Sequence, residues 1–417
     1  MTTTDDALAR REGGDDADVL PLPASYDFDI DPLYDELRKS RPVAKVTVPG
    51  QDTPAWLVTR HADVRHVLSD PRFSRAAAVD HSPGRRTMVY LVDMDPPEHT
   101  RLRRVVHHAF SPRQVERLRP WVRGLVSELI DAMVAHDPPA DLISRLTMPL
   151  PVTIVGELFG VPAEDRPAFS AWAQAFTTLT GHTAEEVAQA QQSMYAYLAR
   201  LLLGSSARTD RAGDSDGPGD VAGALLRAHR DGVIDEQEMI NLAMIILVAG
   251  YETTVNVLGG IVYTLLRRPG LWADFRDRAR DPRAVATAVE ELLRVVPVGT
   301  LPPAPRVATE DTVVSGQPIK AGDAVFVAHE TSAAHDPEIF EAPEEIRLDR
   351  TPNPHLTFGH GPHFCLGAHL ARLEIQEVLT ALAHRLPGLR LAVPEEELQW
   401  VRGGLVRGLR ALPVTWT

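Results

Sequence analysis

A mainly α-helical fold with small β-sheets is what this sequence predicts, on three observations. Apolar residues recur at helical spacing through most of the chain. Strand-like pieces are few, short and drawn from distant segments. No Pro/Gly/Ser-rich linker divides the 417 residues into comparable halves, so one large domain accounts for them as well as two or three would.

Taken in order, helical periodicity runs through 30–40, 61–69, 97–109, 113–135, 142–160, 164–177, 184–204, 219–230, 235–268, 270–279, 281–296 and 366–385. The strand-like pieces are 44–48, 55–58, 313–314 and 324–327, with short runs near 389–393 and 412–415. Residues 1–18 are polar and acidic without an apolar leader, and read as a disordered tail ahead of a domain over 19–417. The stretch 204–220, GSSARTDRAGDSDGPGD, reads as a mobile surface loop. No internal repeat is visible.

Hydrophobic residues make up 44% of the chain, enough for a sizeable core. No run of eighteen or more apolar residues is free of charge, so no membrane span is expected. A cytoplasmic location follows as an expectation, and it suits a single unpaired cysteine. The net charge of −14 argues against general nucleic-acid binding. Lysine occurs only at Lys39, Lys45 and Lys320, a bias that reads as GC-rich coding and carries little functional weight.

That one cysteine, Cys365, lies in the loop FGHGPHFCLG at 358–367. Glycines at 359 and 361 open backbone conformations closed to other residues, and Pro362 stiffens the turn. Helix-compatible sequence follows, which sets Cys365 at a helix N-terminus where the dipole and backbone N–H groups favour thiolate. Four fates are open to such a residue. It can be a buried structural cysteine, a haem-iron ligand, a nucleophile with a histidine base, or part of a zinc site with His355, His360, His363 and His369. The zinc spacings match no standard pattern.

The loop resembles the haem-binding signature of the cytochrome P450 monooxygenases in its phenylalanine, glycines, cysteine and final glycine. The resemblance runs from about residue 29 to the C-terminus and implies a single-domain P450-like fold around a buried haem b. It makes Cys365 the axial metal ligand, with Phe358, Gly359 and Gly367 against the cofactor. Upstream, Ala249-Gly250-Tyr251-Glu252-Thr253-Thr254 sets a glycine, an acid and two hydroxyls in an apolar helix. Gly250 there costs roughly 1 kcal/mol against alanine, and Thr253 can bond back to the Ala249 carbonyl and loosen the helix. The segment resembles the family's oxygen-binding motif, which makes Glu252 and Thr253 the catalytic proton-delivery pair and sets Ala249 and Gly250 against the cofactor. Left to itself, the segment reads first as helix packing with Glu252 in solvent.

Two further features fall in the family's order. Glu291 and Arg294 are three apart on a helix and resemble a buried structural pair. Its usual third member is in doubt, because Glu345-Ile346 and Ala334-His335 depart from the family pattern; Arg350 is a nearby substitute. His99 and Arg103, four apart on one helix face, together with Arg306 and His363, match positions that contact haem propionates.

The activity implied is insertion of one atom of O2 into a medium-sized, mainly apolar small molecule, a hydroxylation in secondary metabolism. Epoxidation or oxidative coupling would use the same residues. A haem- or metal-binding protein without oxygenase activity is the reading from a different class. The pocket is expected from 75–92, 165–205, the helix around Val248, 298–304 and the turn at 405–406, with Met88, Tyr90, Val298, Leu301, Leu405 and Val406 lining it. Expected partners are a ferredoxin and its reductase, docking on Arg101, Arg104, His107, His108 and Arg113, and the protein is expected to be a monomer.

Overall fold

The computed structural model describes residues 19–22, 25–48, 53–79, 89–177, 183–204, 220–300 and 304–416. The predicted tail at 1–18, most of the predicted loop at 204–220, Met88 and Leu301 lie outside the described residues.

In chain order the elements are β1 (Leu20–Pro21), α1 (Pro32–Ser40), β2 (Val43–Thr47), β3 (Ala55–Val58), α2 (His61–Ser69), β4 (Phe73–Ser74), α3 (Glu98–His107), α4 (Pro112–Val134) and β5 (Ala140–Asp141). There follow α5 (Pro149–Phe159), α6 (Arg166–Thr177), α7 (Ala184–Gly204), α8 (Val221–Arg230), α9 (Glu236–Leu266), α10 (Pro269–Arg278) and α11 (Pro282–Val295). The chain closes with β6 (Arg306–Ala308), β7 (Thr312–Val314), β8 (Gln317–Ile319), β9 (Ala324–Val327), α12 (Ala368–Arg385), β10 (Arg390–Leu391) and β11 (Pro413–Thr415). A larger sheet has the order β1-β2-β3-β9-β6-β4; β10-β11-β5 and β7-β8 form two smaller ones.

The helices match the sequence periodicity closely, with one exception. Residues 142–160 are not one helix: a π-helical turn at Ile143–Thr147 precedes α5, whose start is set by Pro149. Strands β1, β4, β5, β6 and β8 had no sequence signal. Each has only two or three residues, too few for alternation to register; β1, β4, β5 and β6 are held by partners further along the chain, and β8 by the adjacent β7.

The core is organised around α9. Asp235 and Glu238 cap its start reciprocally, and α5, α6, α7, α8 and α10 pack around it. Its length and composition would suit a membrane crossing, but 67% of its most apolar window is buried inside the protein, as in a core helix. On the other side of the molecule α12 packs against α4 and α11, and Arg119 and Arg123 of α4 both pair with Glu377 of α12.

The predicted pair on α11 is the hub of a buried network. Arg294 donates to both oxygens of Glu291 at 2.8 Å, and both side chains are fully buried. Arg350 completes the set, its Nε lying 2.9 and 3.0 Å from the two oxygens, and Asn353 adds a donor at 3.1 Å. The departures at 334 and 345 are harmless because Arg294 uses the backbone carbonyls of Ala334 and Glu345, which any residue supplies.

Candidate functional site

The cysteine loop is shaped by its glycines. Gly359 and Gly361 have φ of 72° and 73°, in the left-handed region, and a Cβ on Gly361 would lie 2.6 Å from the Leu68 carbonyl oxygen at the end of α2. The Cys365 amide donates to the Phe358 carbonyl at 2.8 Å, closing the loop on itself. Arg372 of α12 lies over the Phe358 ring, 4.4 Å from its centroid, and is held there by Glu290 at 2.7 Å.

Cys365 presents surface, yet burial is the largest influence on its thiol and pushes its pKa up. A sulfur facing an enclosed cleft satisfies both facts. The Gly367 N–H, Arg103 and Arg372 pull the other way. The thiolate-favouring groups expected at this helix start are therefore present, but for the free thiol burial outweighs them. A bound metal cation supplies what is missing, because coordination deprotonates a thiol outright.

Next to the sulfur lies a cluster in which cationic groups outweigh the nearby Asp93 and Asp95. The His99 and His363 ring centroids are 4.2 Å apart, and His99 Nδ1 and His363 Nε2 are buried without a hydrogen-bond partner. Burial, then the charges of His99, Arg306 and Arg75, push the His363 pKa down to about 3. Arg306 is buried, and that burial together with repulsion from Arg75 brings it down to about 10. Arg103 donates to the Phe364 carbonyl at 2.6 Å. Buried donors without acceptors, under a positive field, fit the carboxylates of a haem. All four predicted residues fall in this cluster. Sequence reasoning missed Arg75, which links it to the carbonyls of Ala304 and Pro305, and Arg372; neither carries a pattern that local sequence could reveal.

On α9 the helix runs unbroken through the acid–alcohol motif, so the loosening expected there does not occur as a break. Thr253 Oγ1 does donate to the Ala249 carbonyl, at 2.6 Å. Ala249 and Thr253 are exposed although the helix around them is mostly buried, which marks a local opening. Gly250 has its reason in packing: a Cβ there would lie 3.1 Å from a methyl of Val155 on α5. Glu252 does not point to solvent. Its Oε2 is buried without a partner, and burial pushes its pKa up to about 8.

The predicted pocket residues divide. Val298, Leu405 and Val406 come together, since Gly299 bridges Val406 and the Thr300 amide donates to the Leu405 carbonyl. Val298 and Leu405 keep open surface. Tyr90, at 1% exposure, and Val248, at 4%, are packed into the main apolar cluster and offer no open surface. Of the predicted docking residues, Arg104, His107, His108 and Arg113 are exposed. Arg101 is not free for a partner, because it pairs with Glu238 and donates to the Val233 carbonyl.

Comparison with known proteins bears on this geometry. The family model described as cytochrome P450 matches residues 283–389. Nocardicin C N-oxygenase of Nocardia uniformis subsp. tsuyamanensis is 42% identical over 93% of this chain and 96% of its own length. Mycinamicin IV hydroxylase/epoxidase of Micromonospora griseorubida is 44% identical over 92% of this chain and 94% of its own. A crystal structure of HinD with NMFT and NO superposes with a TM-score of 0.86 at 44% identity, over 95% of this chain and 98% of that one. With relatives of such identity along its length and a site that fits haem, the chain belongs to the cytochrome P450 family, as a monooxygenase whose cofactor is haem b with the Cys365 thiolate as axial ligand.

Proposed function

We propose that this chain hydroxylates a medium-sized, mainly apolar small molecule of bacterial secondary metabolism. The observation that carries the reading is the neighbouring pair on α9: Glu252, with a buried, partnerless carboxyl oxygen, and Thr253, with an open hydroxyl. A protein that only bound haem or metal would have no use for that pair.

Haem, when bound, supplies dioxygen activation, with two electrons and two protons consumed, one oxygen atom going to the substrate and the other leaving as water. The remaining work falls to the chain. His99, Arg103, Arg306 and His363 would hold the propionates. Ala249, Gly250, Phe358, Gly359 and Gly367 would pack against the cofactor. Thr253 spends its own proton on the Ala249 carbonyl, so its oxygen presents lone pairs to the open side as an acceptor. Glu252, raised to about 8, holds a proton on its carboxyl at neutral pH and is a proton source one residue along the helix from Thr253. Val298, Leu405 and Val406 form the substrate wall, while Tyr90 and Val248 belong to the apolar core. Epoxidation by the same residues is a second reading, favoured by the Micromonospora relative whose name carries both reactions.

Electrons come from a ferredoxin and its reductase, docking on the exposed Arg104, His107, His108 and Arg113. We place the protein in the cytoplasm, as a monomer. The test starts with the reduced, carbon monoxide-treated spectrum: a strongly red-shifted Soret band is expected, and a normal position or absent haem overturns the reading. Substrate-induced spin shifts across a panel of secondary metabolites then identify a substrate. With that substrate, Thr253→Ala raises peroxide release relative to product, and unchanged coupling refutes the role of Thr253.

A further inference from the structure

Residues 298–300 follow α11 and belong to no strand, yet their backbone is fully engaged. The amides of Val298 and Gly299 both donate to one carboxylate oxygen, Glu330 Oε2, at 3.0 and 2.7 Å. On the other side, the Val298 carbonyl accepts from the Arg407 amide at 2.8 Å and the Gly299 carbonyl from Arg407 Nε at 2.7 Å. Two consecutive residues are thus gripped between an acid on their N–H side and Arg407, through its amide and its guanidinium, on their C=O side. Thr300 continues the seam, its hydroxyl donating to the Gly404 carbonyl at 2.8 Å and its amide to the Leu405 carbonyl at 3.1 Å.

Arg407 is set in the interior and Glu330 is largely covered, its side chain 17% exposed. Arg407 is 1% exposed and its Nη1 donates to the Asp27 and Asp29 carbonyls at 2.8 and 2.9 Å. Glu330 Oε1 faces His329 Nε2 at 3.4 Å. Burying two charges costs several kcal/mol each before their partners offset it, and an apolar pair would fill the space without that cost. What an apolar pair lacks is donors and acceptors that fix a strandless segment in one place.

The segment so fixed lies close to the chemistry. Gly408, next to Arg407, meets α9 so tightly that a Cβ would fall 1.8 Å from Asn256 Oδ1, while Asn256 Nδ2 donates to the Glu252 carbonyl at 2.8 Å. The wall and the acid–alcohol turn are therefore in register through a single side chain.

We propose that Glu330 and Arg407 are positioning residues, which clamp residues 298–300 against 404–406 and so set the shape of the substrate wall without touching substrate. This rests on the placement of the pocket proposed above. Selectivity for bulky ligands then depends on a charge pair behind the wall as well as on the apolar side chains of its face.

The test uses the haem-loaded, full-length enzyme. Hydrogen exchange on the wild type is expected to show slow amides at Val298 and Gly299; rapid exchange at both overturns the clamp, whatever any variant does. Glu330→Gln and Arg407→Lys are then titrated with imidazole, which reaches the iron alone, and with clotrimazole, which fills the pocket. Imidazole affinity should be unchanged and clotrimazole should bind roughly tenfold more weakly, about 1.4 kcal/mol. Equal affinity for both azoles in wild type and variants overturns the proposal while the thiolate Soret band stands. A wild type without that band instead sinks the haem reading underneath it.

Discussion

Glu291 and Glu252 each bury carboxyl oxygens within the helical core, and the fold treats them in opposite ways. Glu291 on α11 accepts from Arg294, Arg350, Asn353 and the Arg347 amide, and these donors together hold its carboxylate below the ordinary range against the effect of burial. Glu252 on α9 has one oxygen with no partner, and burial alone pushes it up to about 8. A satisfied buried charge is architecture. An unsatisfied one is a standing cost to the fold, and such costs collect where a titratable group has chemistry to do.

The largest effect should come from breaking the satisfied site. Arg294→Ala leaves the Glu291 carboxylate buried with part of its donors gone and frees the carbonyls of Ala334 and Pro343, while that of Glu345 keeps Arg350. A loss of about 3–5 kcal/mol is expected, read as a shift in urea midpoint at constant slope. A change near zero would mean that Arg350 alone can neutralise Glu291, and the contrast between the two acids would weaken.

The mirror experiment is Glu252→Gln. The shape is kept and the titratable proton is lost, so stability should hold or rise while product formation falls about 100-fold, at the low end for general acid–base groups. Stability and turnover need measuring on the same preparation. A variant that loses stability but keeps its turnover would reverse the assignment of the two acids.

The pH dependences should have opposite signs. Glu252 has a folded pKa raised from 4.5 to about 8, so the stability it contributes is fully present below 4.5 and is lost as pH rises toward 8. Glu291 has a lowered folded pKa, so its contribution is present above 4.5 and is lost on acidification through that folded value. Unfolding midpoints across this range should show Glu252→Gln flattening the alkaline limb only. Coupling of electrons to product should fall as pH passes about 8 in the wild type. Flattening of the acid limb by the same variant would contradict the assignment.

The sequence carried these two sites unequally. Glu291 and Arg294 were legible because the pair is local, three apart on one helix, where the helix period sets its members face to face; Glu252 and Thr253, adjacent on their helix, were singled out by the family resemblance alone. Legible too were the glycines of the cysteine loop, whose positive φ angles only a particular backbone requires. Asn353, Glu330 and Arg407 act across separations of dozens to more than a hundred residues, as with Asn353 on Glu291 and Arg407 on Gly299. Nothing in local periodicity encodes such a meeting. Tyr90 and Val248 failed as open pocket surface for a related reason: apolar character cannot tell a residue lining a cleft from one filling the core behind it.

The smallest expected effect sharpens the comparison most finely. Asn353 donates to Glu291 Oε2 at 3.1 Å, but its own Oδ1 is buried without a partner. Asn353→Ala therefore removes a charge-assisted bond and an orphaned acceptor together. The first loss is worth roughly 1.5–3 kcal/mol and the relief of the second roughly 1–3 kcal/mol, so the net change should be under about 1 kcal/mol. Asn353→Asp is the informative partner, since it sets a second carboxylate against Glu291 where only cations and N–H donors now stand. It should cost clearly more than the alanine variant at neutral pH and approach it on acidification, as the new acid takes up a proton. Equal costs for the two at neutral pH would show that the two arginines, and not the full donor set, decide how the buried charge of Glu291 is held.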